Sequence, residues 1–575
     1  MAYLNTDSTE AGSRATNRFD AIVVGTGISG GWAAKELTAK GLRTLVIERG
    51  RDVKHVTDYP TANKNPWEFP HLGQVPLEIK QKSPASSGHY IFREDTLHFV
   101  VKDYEHPFVQ EKPFSWMRGY QVGGRSLLWA RQTQRWSDFD FEGPARDGFA
   151  VDWPIRYADI APWYSYVEKF VGIAGNKDGL PNLPDGEFQT PHEMSCVEKH
   201  FSKQVAQQYQ DRNVIIGRCA NLTDPQPIHY AQGRAKCQNR ALCERGCPYG
   251  GYFSSNASTL PWAAKTGKMT LKTQAVVHSI IYDEQKKRAT GVRVIDANTK
   301  EMTEYYAKVI FLNASALNSN LILLNSTSNR FPNGLGNDSG VLGQYIGFHN
   351  YRGRVSAEFE GYYDTTTEGR RPNGSYVPRF RNVVKQETDF LRGYAAAIGS
   401  SKKGNPTDGL LGQDLKEQLA KPATNGWDIG AQMMGEVLPK ATNMVRLDAN
   451  LKDDWGIPQL KMSVDFDDND MKMVQDFYEQ FSEMFAKSGF KNIKTIDTKR
   501  VPGNENHEMG GVRMGKDPKT SMLNGWNQMH ACKNVFVTDG GCMTSTSTQN
   551  PSLTYMALTA RAADYAVKEM RKGNL

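Results

Sequence analysis

The sequence predicts a mixed α/β fold, in which a parallel-sheet domain made of separate chain segments is interrupted by an inserted α+β domain built on an antiparallel sheet. Three observations support this prediction. A strand, a glycine-rich turn, a helix and a second strand follow one another over residues 18–50. Strand-like alternation is frequent over 350–465, and a buried strand at 534–539 precedes a last helix at 551–572. We expect this late strand and helix to complete the first domain.

The glycine-rich turn has the spacing of a dinucleotide-binding motif. Gly25, Gly27 and Gly30 form GxGxxG between an apolar strand over 20–24 and a helix that ends before Gly41. Gly25 permits a sharp turn, Gly27 lets a pyrophosphate approach the backbone, and Gly30 lets the helix pack on the strand. Unpaired N–H groups at the helix N-terminus then face the phosphates. We therefore interpret this segment as the start of a Rossmann-like domain.

Glu48 follows the next predicted strand, 42–47, at a position where a carboxylate accepts hydrogen bonds from ribose hydroxyls. The motif stands at the start of a long chain, as is common in flavoenzymes, because FAD is extended and needs further segments to cover its flavin. A nicotinamide cofactor is not excluded by this feature alone.

The remaining segments give a coarse element order. Residues 51–115 show little periodicity and are interpreted as loops and insertions. A helix is predicted within 151–172 after Pro154, and another over 466–488. Four strand-like runs within 269–312 predict an antiparallel meander that returns to the first domain.

Composition and charge exclude several function classes. The net charge is only +7 in 575 residues and the basic residues are scattered, so neither a nucleic-acid partner nor a membrane-surface patch is expected. No apolar run approaches the ~18 residues of a membrane-spanning helix. Residues 1–17 lack the basic and apolar regions of a secretory signal. We therefore expect a chain that stays in the cytoplasm or is exported while bound to a partner that carries the signal.

Four segments, in order, resemble the glucose–methanol–choline (GMC) oxidoreductases: GTGISGG at the start, RGYQVGGRSLLWARQ over 118–132, NHEMGGVRMG over 506–515, and the C-terminal run over 535–565. The resemblance covers nearly the whole chain. It implies the GMC fold, with a Rossmann-like FAD-binding domain and an inserted α+β substrate domain. On this basis the FAD-binding domain is expected to contain 18–55, 116–135, 195–350 and 500–575, and the substrate domain 56–115, 136–194 and 351–499.

The resemblance also implies which further residues bind FAD. In the second segment, Trp129 is expected to pack beside the flavin, where the backbone also runs close to the cofactor. In pyranose oxidases the residue before this tryptophan is a histidine joined covalently to the flavin. Here it is Leu128, so FAD is expected to be held non-covalently. The other positions implied by the family are Gly123, Gly124, Ser126, Val277, Ala314, Ser315, Asp539, Gly540, Asn550 and Pro551.

His507 occupies the position of the family's catalytic histidine. Alcohol oxidation requires removal of the hydroxyl proton as a hydride leaves the carbon for flavin N5, and a histidine can take that proton near neutral pH. Asn550 occupies the second family position, which orients the substrate hydroxyl. The local sequence Asn550-Pro551 also predicts a helix N-cap followed by proline at N1. Such a helix would direct its positive end at a reduced flavin.

Three cysteines, Cys237, Cys243 and Cys247, form the pattern C-x5-C-x3-C. This spacing resembles the flavin sugar dehydrogenases whose catalytic subunit holds a [3Fe–4S] cluster, and three thiolates suit such a cluster. Two alternatives remain open at this point. A structural zinc would need a fourth ligand, for which His229 is the nearest candidate, and a disulfide would leave one thiol spare.

The resemblance is nearest to bacterial glucoside 3-dehydrogenases and the gluconate and glucose dehydrogenases. It implies oxidation of a secondary ring hydroxyl of a pyranoside, expected at C3, with electrons leaving through the cluster. Glucose C1 or gluconate C2 oxidation, an oxygen-using pyranose oxidase and a non-redox flavin-binding protein are the alternatives. The expected partners are a small subunit that bears the export signal and a cytochrome c acceptor, which together imply a periplasmic location.

Overall fold

The computed structural model describes residues 17–366, 371–421 and 425–575. The N-terminal segment that carries the export prediction lies, except for Asn17, outside the described residues. Short stretches of the predicted substrate domain, 367–370 and 422–424, lie outside them as well. Within the described part of the chain, no helix combines the length and the apolar character needed to cross a membrane.

The described residues form nineteen strands and eleven α-helices, together with short 3-10 turns. The strands are β1 (Arg18–Val24), β2 (Thr44–Ile47), β3 (Val109–Gln110), β4 (Ile173–Ala174), β5 (Phe188–Gln189), β6 (Ile215–Ile216), β7 (Met269–Lys272), β8 (Ala275–Asp283), β9 (Arg288–Asp296), β10 (Met302–Leu312), β11 (His349–Asn350), β12 (Gly353–Phe359), β13 (Ser375–Val377), β14 (Tyr394–Lys402), β15 (Trp427–Glu436), β16 (Met444–Lys452), β17 (Pro458–Ser463), β18 (Lys491–Asp497) and β19 (Val535–Val537). The helices are α1 (Ile28–Ala39), α2 (Leu77–Lys82), α3 (Asp138–Asp147), α4 (Tyr157–Val171), α5 (Cys196–Gln208), α6 (Pro227–Ala231), α7 (Thr259–Lys265), α8 (Ala316–Leu324), α9 (Gly412–Ala420), α10 (Asp468–Lys487) and α11 (Ser552–Arg571).

The first sheet confirms the predicted parallel-sheet domain. Its order is β7-β2-β1-β10-β9-β8, and β19 also pairs with β10. The strands β7, β2, β1, β10 and β19 run parallel. The apolar residues 21–24 of β1 are buried because helices and further segments cover both faces, as parallel sheets require. Helix α1 ends so that Gly41 follows its C-cap with a φ of +96°, as predicted.

The predicted meander is wrong at its first strand. The run that starts at Met269 breaks at Gln274, which has a left-handed φ of +52°. Its first part, β7, pairs in parallel with β2, and only β8, β9 and β10 are antiparallel. Because Gln274 is neither glycine nor asparagine, the sequence contains no ordinary signal for this turn.

The second sheet confirms the predicted antiparallel architecture. Its order is β18-β12-β15-β14-β13-β6, with β11 added to β15, and every pairing is antiparallel. The amphipathic helix α10 buries Phe477, Phe481 and Phe485 against it, within the predicted 466–488. The predicted strands near 444 and 458 exist, but they form a separate sheet, β16-β17-β3.

Two segments revise the proposed domain boundaries. Helix α5 buries Val197 and Phe201 in the core of the second sheet, and β6 pairs with β13 of that sheet. Residues 195–216 therefore belong with the substrate domain rather than with the FAD-binding domain. Helix α4, which lies in the segment predicted for the substrate domain, packs against α11, and its Phe170 contacts Trp32 of α1. Burial of these apolar faces assigns α4 to the first domain.

A buried charge network joins the antiparallel sheet to helix α3. Glu436, at the end of β15, accepts from Arg392 at 2.9 Å and pairs with Arg379 at 2.8 Å, and all three side chains are at most 3% exposed. The two arginines also pair with Asp147 and Asp140 of α3. Burial alone would raise the pKa of Glu436, but the charges of Arg392 and Arg379 lower it below its ordinary value.

We expect Glu436→Gln to lower the free energy of unfolding by about 3 kcal/mol, because it leaves two buried guanidinium groups partly unpaired. The folded-state pKa of Glu436 is lowered, so its stabilisation is present above the unfolded pKa of about 4.3 and is lost as the pH falls through the folded-state pKa. Denaturant unfolding of both proteins across this pH range measures the difference. Glu360→Gln, which breaks an exposed pair with Lys491, is the matched control. Equal stabilities of the two variants at pH 7 would contradict the assignment.

Candidate active site

A cavity of about 250 Å³ lies where four parallel strands end. Its walls include Gly25 after β1, Glu48 after β2, Asn313 after β10 and Asp539 after β19. The carboxyl ends of parallel strands meet at one edge of a sheet, which is the usual position of ligands in such folds. Segments that lie far apart in the sequence therefore share one cavity.

The structure brings most of the predicted site residues to this cavity. The residues that line it are Gly25, Gly27, Glu48, Gly124, Ser126, Trp129, Val277, Ala314, Ser315, His507, Asp539, Gly540, Asn550 and Pro551. Gly30 and Gly123 are not part of its lining. A Cβ on Gly30 would stand 2.0 Å from the carbonyl oxygen of Gly25, and one on Gly123 would stand 1.7 Å from Asn256 Oδ1. Both glycines therefore permit close packing behind the wall.

The glycine turn fits a dinucleotide. Gly25 has a φ of +97°, and a Cβ there would be 2.3 Å from the carbonyl oxygen of Asn313. A Cβ on Gly27 would meet no atom within 4 Å, so this face of the turn is open to the cavity. No side chain caps α1, whose first N–H groups therefore remain available to an anion. The arrangement fits the pyrophosphate of FAD.

Two buried carboxylates are fixed at the strand ends. Glu48 accepts hydrogen bonds from the Thr26 hydroxyl and from the backbone N–H of Gly50 at 3.0 Å. Asp539 accepts from Ser319 Oγ at 2.5 Å and from the N–H of Gly541. Burial raises the pKa of Asp539 to about 6 and also raises that of Glu48. The hydrogen bonds hold both carboxyl groups at the cavity wall, where hydroxyl groups of a ligand can reach them.

The predicted helix cap at Asn550 is wrong. The N-cap of α11 is Pro551, without a side-chain hydrogen bond. The side chain of Asn550 instead turns toward His507, whose Nε2 lies 3.3 Å from Asn550 Nδ2. The tertiary contact replaces the local cap, while the N-terminus of α11 still faces the cavity through Ser552 and Tyr555.

His507 is a half-buried, neutral imidazole. Burial lowers its pKa well below the ordinary value; the positive charge of Arg125, and that of His349 whenever its imidazole is protonated, lower it further. Its Nδ1 lies 2.9 Å from Nδ1 of His349, while Nε2 is directed at Asn550. A neutral imidazole with one nitrogen at the cavity wall can accept a proton from a bound alcohol.

Sequence reasoning missed the polar residues around this pair. Arg125 forms a 2.7 Å ion pair with the fully buried carboxylate of Glu508, and both line the cavity. Glu505 also lines it; burial raises its pKa to about 8, and its Oε1 has no hydrogen-bond partner among the described residues. Tyr351, Arg500, Asn504 and Asn506 complete this polar wall. Arg125, Asn506 and Glu508 lie within the quoted segments, each next to a predicted site residue, whereas no motif marked Tyr351, Arg500, Asn504 and Glu505.

The three predicted metal-ligating cysteines share a second, smaller cavity. Cys237, Cys243 and Cys247 line it together with Asn221, whose Nδ2 lies 3.8 Å from Cys237 Sγ and 3.9 Å from Cys243 Sγ. Burial raises the pKa of the Cys243 thiol to about 12. All seven cysteines are free thiols. Thiols gathered around one cavity are the donor set that an iron–sulfur cluster requires.

A zinc site with His229 does not fit this arrangement. Nδ1 of His229 accepts from the N–H of Gln226 at 2.9 Å, and Nε2 lies 3.1 Å from the carbonyl oxygen of Lys169. Among the described residues, no group of three His, Cys, Asp or Glu side chains is placed to hold a metal ion. A single zinc ion needs all its ligands within about 2.3 Å of one point, whereas thiolates around a cluster bind different irons.

Arg131 lies between the two cavities. It lines the larger one, and its guanidinium donates to Glu244 at 2.6 Å and to the carbonyl oxygen of Pro372, a residue of the smaller cavity. Glu244 follows Cys243 directly in the chain. The cysteine cavity is therefore adjacent to the larger one.

Comparison with known proteins agrees with this site. Two family models described as GMC oxidoreductase match the chain, the N-terminal one over residues 19–344 and the C-terminal one over residues 439–559. The chain is 25% identical over 580 residues to the fructose dehydrogenase large subunit of Gluconobacter japonicus, covering 98% of this chain and 100% of that protein. It is 26% identical over 576 residues to 2-methyl-1,2-propanediol dehydrogenase of Mycolicibacterium austroafricanum, covering 95% of this chain and 94% of that protein.

A third relative and a solved structure extend the comparison. The gluconate 2-dehydrogenase flavoprotein of Pantoea cypripedii is 25% identical over 603 residues, covering 96% of this chain and 94% of that protein. A formate oxidase structure from Aspergillus oryzae RIB40 superposes with a TM-score of 0.59 at 12% identity, covering 97% of this chain and 99% of that one. This superposition shows the same fold.

Two alanine substitutions separate the roles of the glycines in the turn. Gly27→Ala is expected to leave the unfolding free energy of the apoprotein unchanged and to weaken FAD binding at least tenfold, because its methyl group projects into the open cavity. Gly30→Ala is expected to destabilise the apoprotein by about 1–3 kcal/mol, because its methyl group meets a backbone carbonyl. Thermal unfolding and FAD titration of the apoproteins measure both effects. Unchanged FAD affinity in Gly27→Ala would place the pyrophosphate elsewhere.

Proposed function

Because the chain belongs to the GMC oxidoreductase family, which acts on CH–OH groups, we propose that it is an FAD-dependent dehydrogenase that oxidises a secondary ring hydroxyl, at C3, of a pyranose sugar or glycoside to a keto-sugar. The observation that carries this proposal is the pair His507 and Asn550, which stands on the wall of the same cavity as the glycine turn.

The cavity residues would hold FAD non-covalently. Gly27 and the first N–H groups of α1 would receive the pyrophosphate, and Glu48 the ribose. Asp539 and Gly540 would contact the ribityl side of the cofactor, and Trp129 would pack beside the flavin. Leu128, which also lines the cavity, offers no atom for a covalent link. When bound, FAD supplies the two-electron acceptor for the alcohol.

His507 would act as the base. Its Nε2 would take the hydroxyl proton of the alcohol, while the amide of Asn550 holds the hydroxyl in position. The low pKa that burial imposes keeps the imidazole neutral, and therefore competent as a base, into the acidic pH range. The N-terminus of α11 would stabilise negative charge that develops in front of it.

The polar wall of the cavity supports a polyhydroxylated substrate. Tyr351, Arg500, Asn504 and Glu505 offer donors and acceptors that match several ring hydroxyls. Two of the relatives are named for fructose and for gluconate, which are both sugar-derived. The resemblance to glucoside 3-dehydrogenases supports C3. Because one relative is named gluconate 2-dehydrogenase, oxidation of gluconate at C2, or of glucose at C1, is the second candidate activity.

We further propose that Cys237, Cys243 and Cys247 hold a [3Fe–4S] cluster that carries electrons away from the flavin. Their common cavity and its separation from the larger cavity by Arg131 support this route. Such a route makes the enzyme a dehydrogenase rather than an oxygen-using pyranose oxidase.

An external acceptor and partner subunits follow from this electron route. One relative is named as a large subunit, which supports a multi-subunit enzyme. We therefore propose a small subunit that carries the export signal, a cytochrome c acceptor and a periplasmic location. A cytoplasmic enzyme is the alternative.

The proposed activity is tested by mixing the FAD-loaded enzyme anaerobically with methyl glucoside, glucose and gluconate. We expect methyl glucoside to bleach the flavin and, with an artificial acceptor, to yield the 3-keto product, identified by NMR. A C1 or C2 product would move the assignment to the second candidate, and rapid turnover with oxygen alone would favour an oxidase. If neither these compounds nor other alcohols bleach the flavin, the protein binds FAD without this redox function.

Within the same test, His507→Ala is expected to bind FAD normally and to slow flavin reduction about 10²–10⁴-fold, the usual contribution of a general base. His530→Ala, which changes a histidine outside the cavity bonded to Ser521, serves as the matched control. Normal bleaching in His507→Ala would remove this histidine from the mechanism.

The cluster is tested by metal and sulfide analysis of anaerobically purified protein. We expect about three irons and four acid-labile sulfides per chain. Cys243→Ser should lose the iron and keep FAD, whereas Cys196→Ser, at the start of α5, should keep both. One zinc without iron in the unsubstituted protein would replace the cluster by a structural metal site.

A further inference from the structure

A backbone bridge places a second histidine beside the proposed base. Gly347 and Met509 exchange two hydrogen bonds, of 2.8 and 2.9 Å, as an antiparallel pair. Two residues away from this pair, His349 and His507 stand opposite each other, with ring centroids 5.0 Å apart and planes at 81°. Opposed residues of an antiparallel pair project to the same side. The contact between the imidazoles is therefore set by the backbone register.

The hydrogen bonds of His349 determine where its proton lies. Its Nε2 is 3.1 Å from the carbonyl oxygen of Thr546, which can only accept, so this nitrogen carries the hydrogen. A neutral imidazole has one N–H, and Nδ1 of His349 is therefore a bare acceptor. Within the described part of the chain, its hydrogen-bond partner is Nδ1 of His507, at 2.9 Å, which must then be the donor. With its hydrogen on Nδ1, neutral His507 has a bare Nε2.

The surroundings keep both imidazoles neutral. Burial lowers the pKa of His349 to about 4, although the carboxylate of Glu436 opposes this shift, and Arg379 adds to it. On the other side, Arg125 disfavours a charge on His507. The residue that supplies the acceptor oxygen is fixed as well. The Thr546 hydroxyl donates to the carbonyl oxygen of Val437. Thr546 also packs closely on Gly347, where a Cβ would stand 2.4 Å from Thr546 Cγ2.

We propose that His349 is a positioning residue, which holds His507 in the tautomer whose bare Nε2 faces Asn550 and the substrate. This inference rests on the proposed function, because it assigns a purpose to that tautomer. His349 does not line the cavity, so it acts through His507. When His507 takes a proton, its Nδ1–H bond to His349 becomes charge-assisted and stronger, which favours proton transfer.

Two variants test the positioning role. His349→Leu removes the acceptor, and we expect the rate constant of flavin reduction at saturating substrate to fall about tenfold to hundredfold with little change in KM. The acid limb of its pH profile should move to lower pH, because the imidazolium loses a hydrogen bond. His349→Asn places an amide oxygen near the former Nδ1 and should restore most of the rate and the limb. A leucine variant with the wild-type rate and pH profile overturns the proposal.

A spectroscopic measurement tests the tautomer without any substrate. In FAD-loaded protein with ¹⁵N-labelled histidine, the resonances that disappear in His507→Gln identify His507. We expect a protonated Nδ1 and a bare Nε2, and the opposite tautomer overturns the proposal. This test does not need the His349→Leu variant, so it decides the question even if that variant does not fold. If no alcohol reduces the wild-type flavin while the tautomer is as expected, the proposed function fails and the assignment of the proton stands.

Discussion

The site depends on a backbone contact that leaves no room for a side chain. The turn at Gly25 lies against the carbonyl of Asn313, and Gly30 lies against the carbonyl of Gly25. These contacts bring the ends of β1 and β10 together and direct the N-terminus of α1 into the cavity between them. The first and middle segments of the chain thereby form one binding wall, which β19 and α11 complete from the C-terminus.

The proposed base lies at the junction of the two sheets. His507 lies two residues before Met509, which forms a backbone bridge with Gly347 just before β11. Strand β11 in turn pairs with β15 of the antiparallel sheet. Asn550 comes from the opposite side, at the start of α11 of the first domain. Because each domain contributes one of the contacts of the imidazole, its position and its tautomer depend on correct docking of the two. The buried pairs of Glu436, which stands opposite His349 in β15, contribute to that docking.

The two cavities give a physical basis for a dehydrogenase. A polar wall suits a substrate with several hydroxyls, and the burial of His507 keeps a neutral base beside it. Arg131 connects this cavity to the thiols, since its guanidinium binds both Glu244 and the carbonyl of Pro372. Burial raises the pKa values of the Cys237 and Cys243 thiols, so binding of a cluster would require their deprotonation and would stabilise this part of the fold.

Residue spacing was enough to predict the local units whose signals are short-range. The turn from Gly25 to Gly30, the amphipathic helix α10 and the last strand and helix follow from residue spacing, and the family resemblance placed His507 and Asn550. The strand break at Gln274 could not be predicted, because no glycine, proline or asparagine marks it. The packing of α4 and α5 could not be predicted either, because both helices have apolar faces that fit either domain. The contact of Asn550 with an imidazole, in place of a helix cap, depends on packing between distant segments and is seen in the three-dimensional structure. The pairing of His349 with His507 is likewise visible in the three-dimensional structure alone, because it depends on the register between segments 158 residues apart.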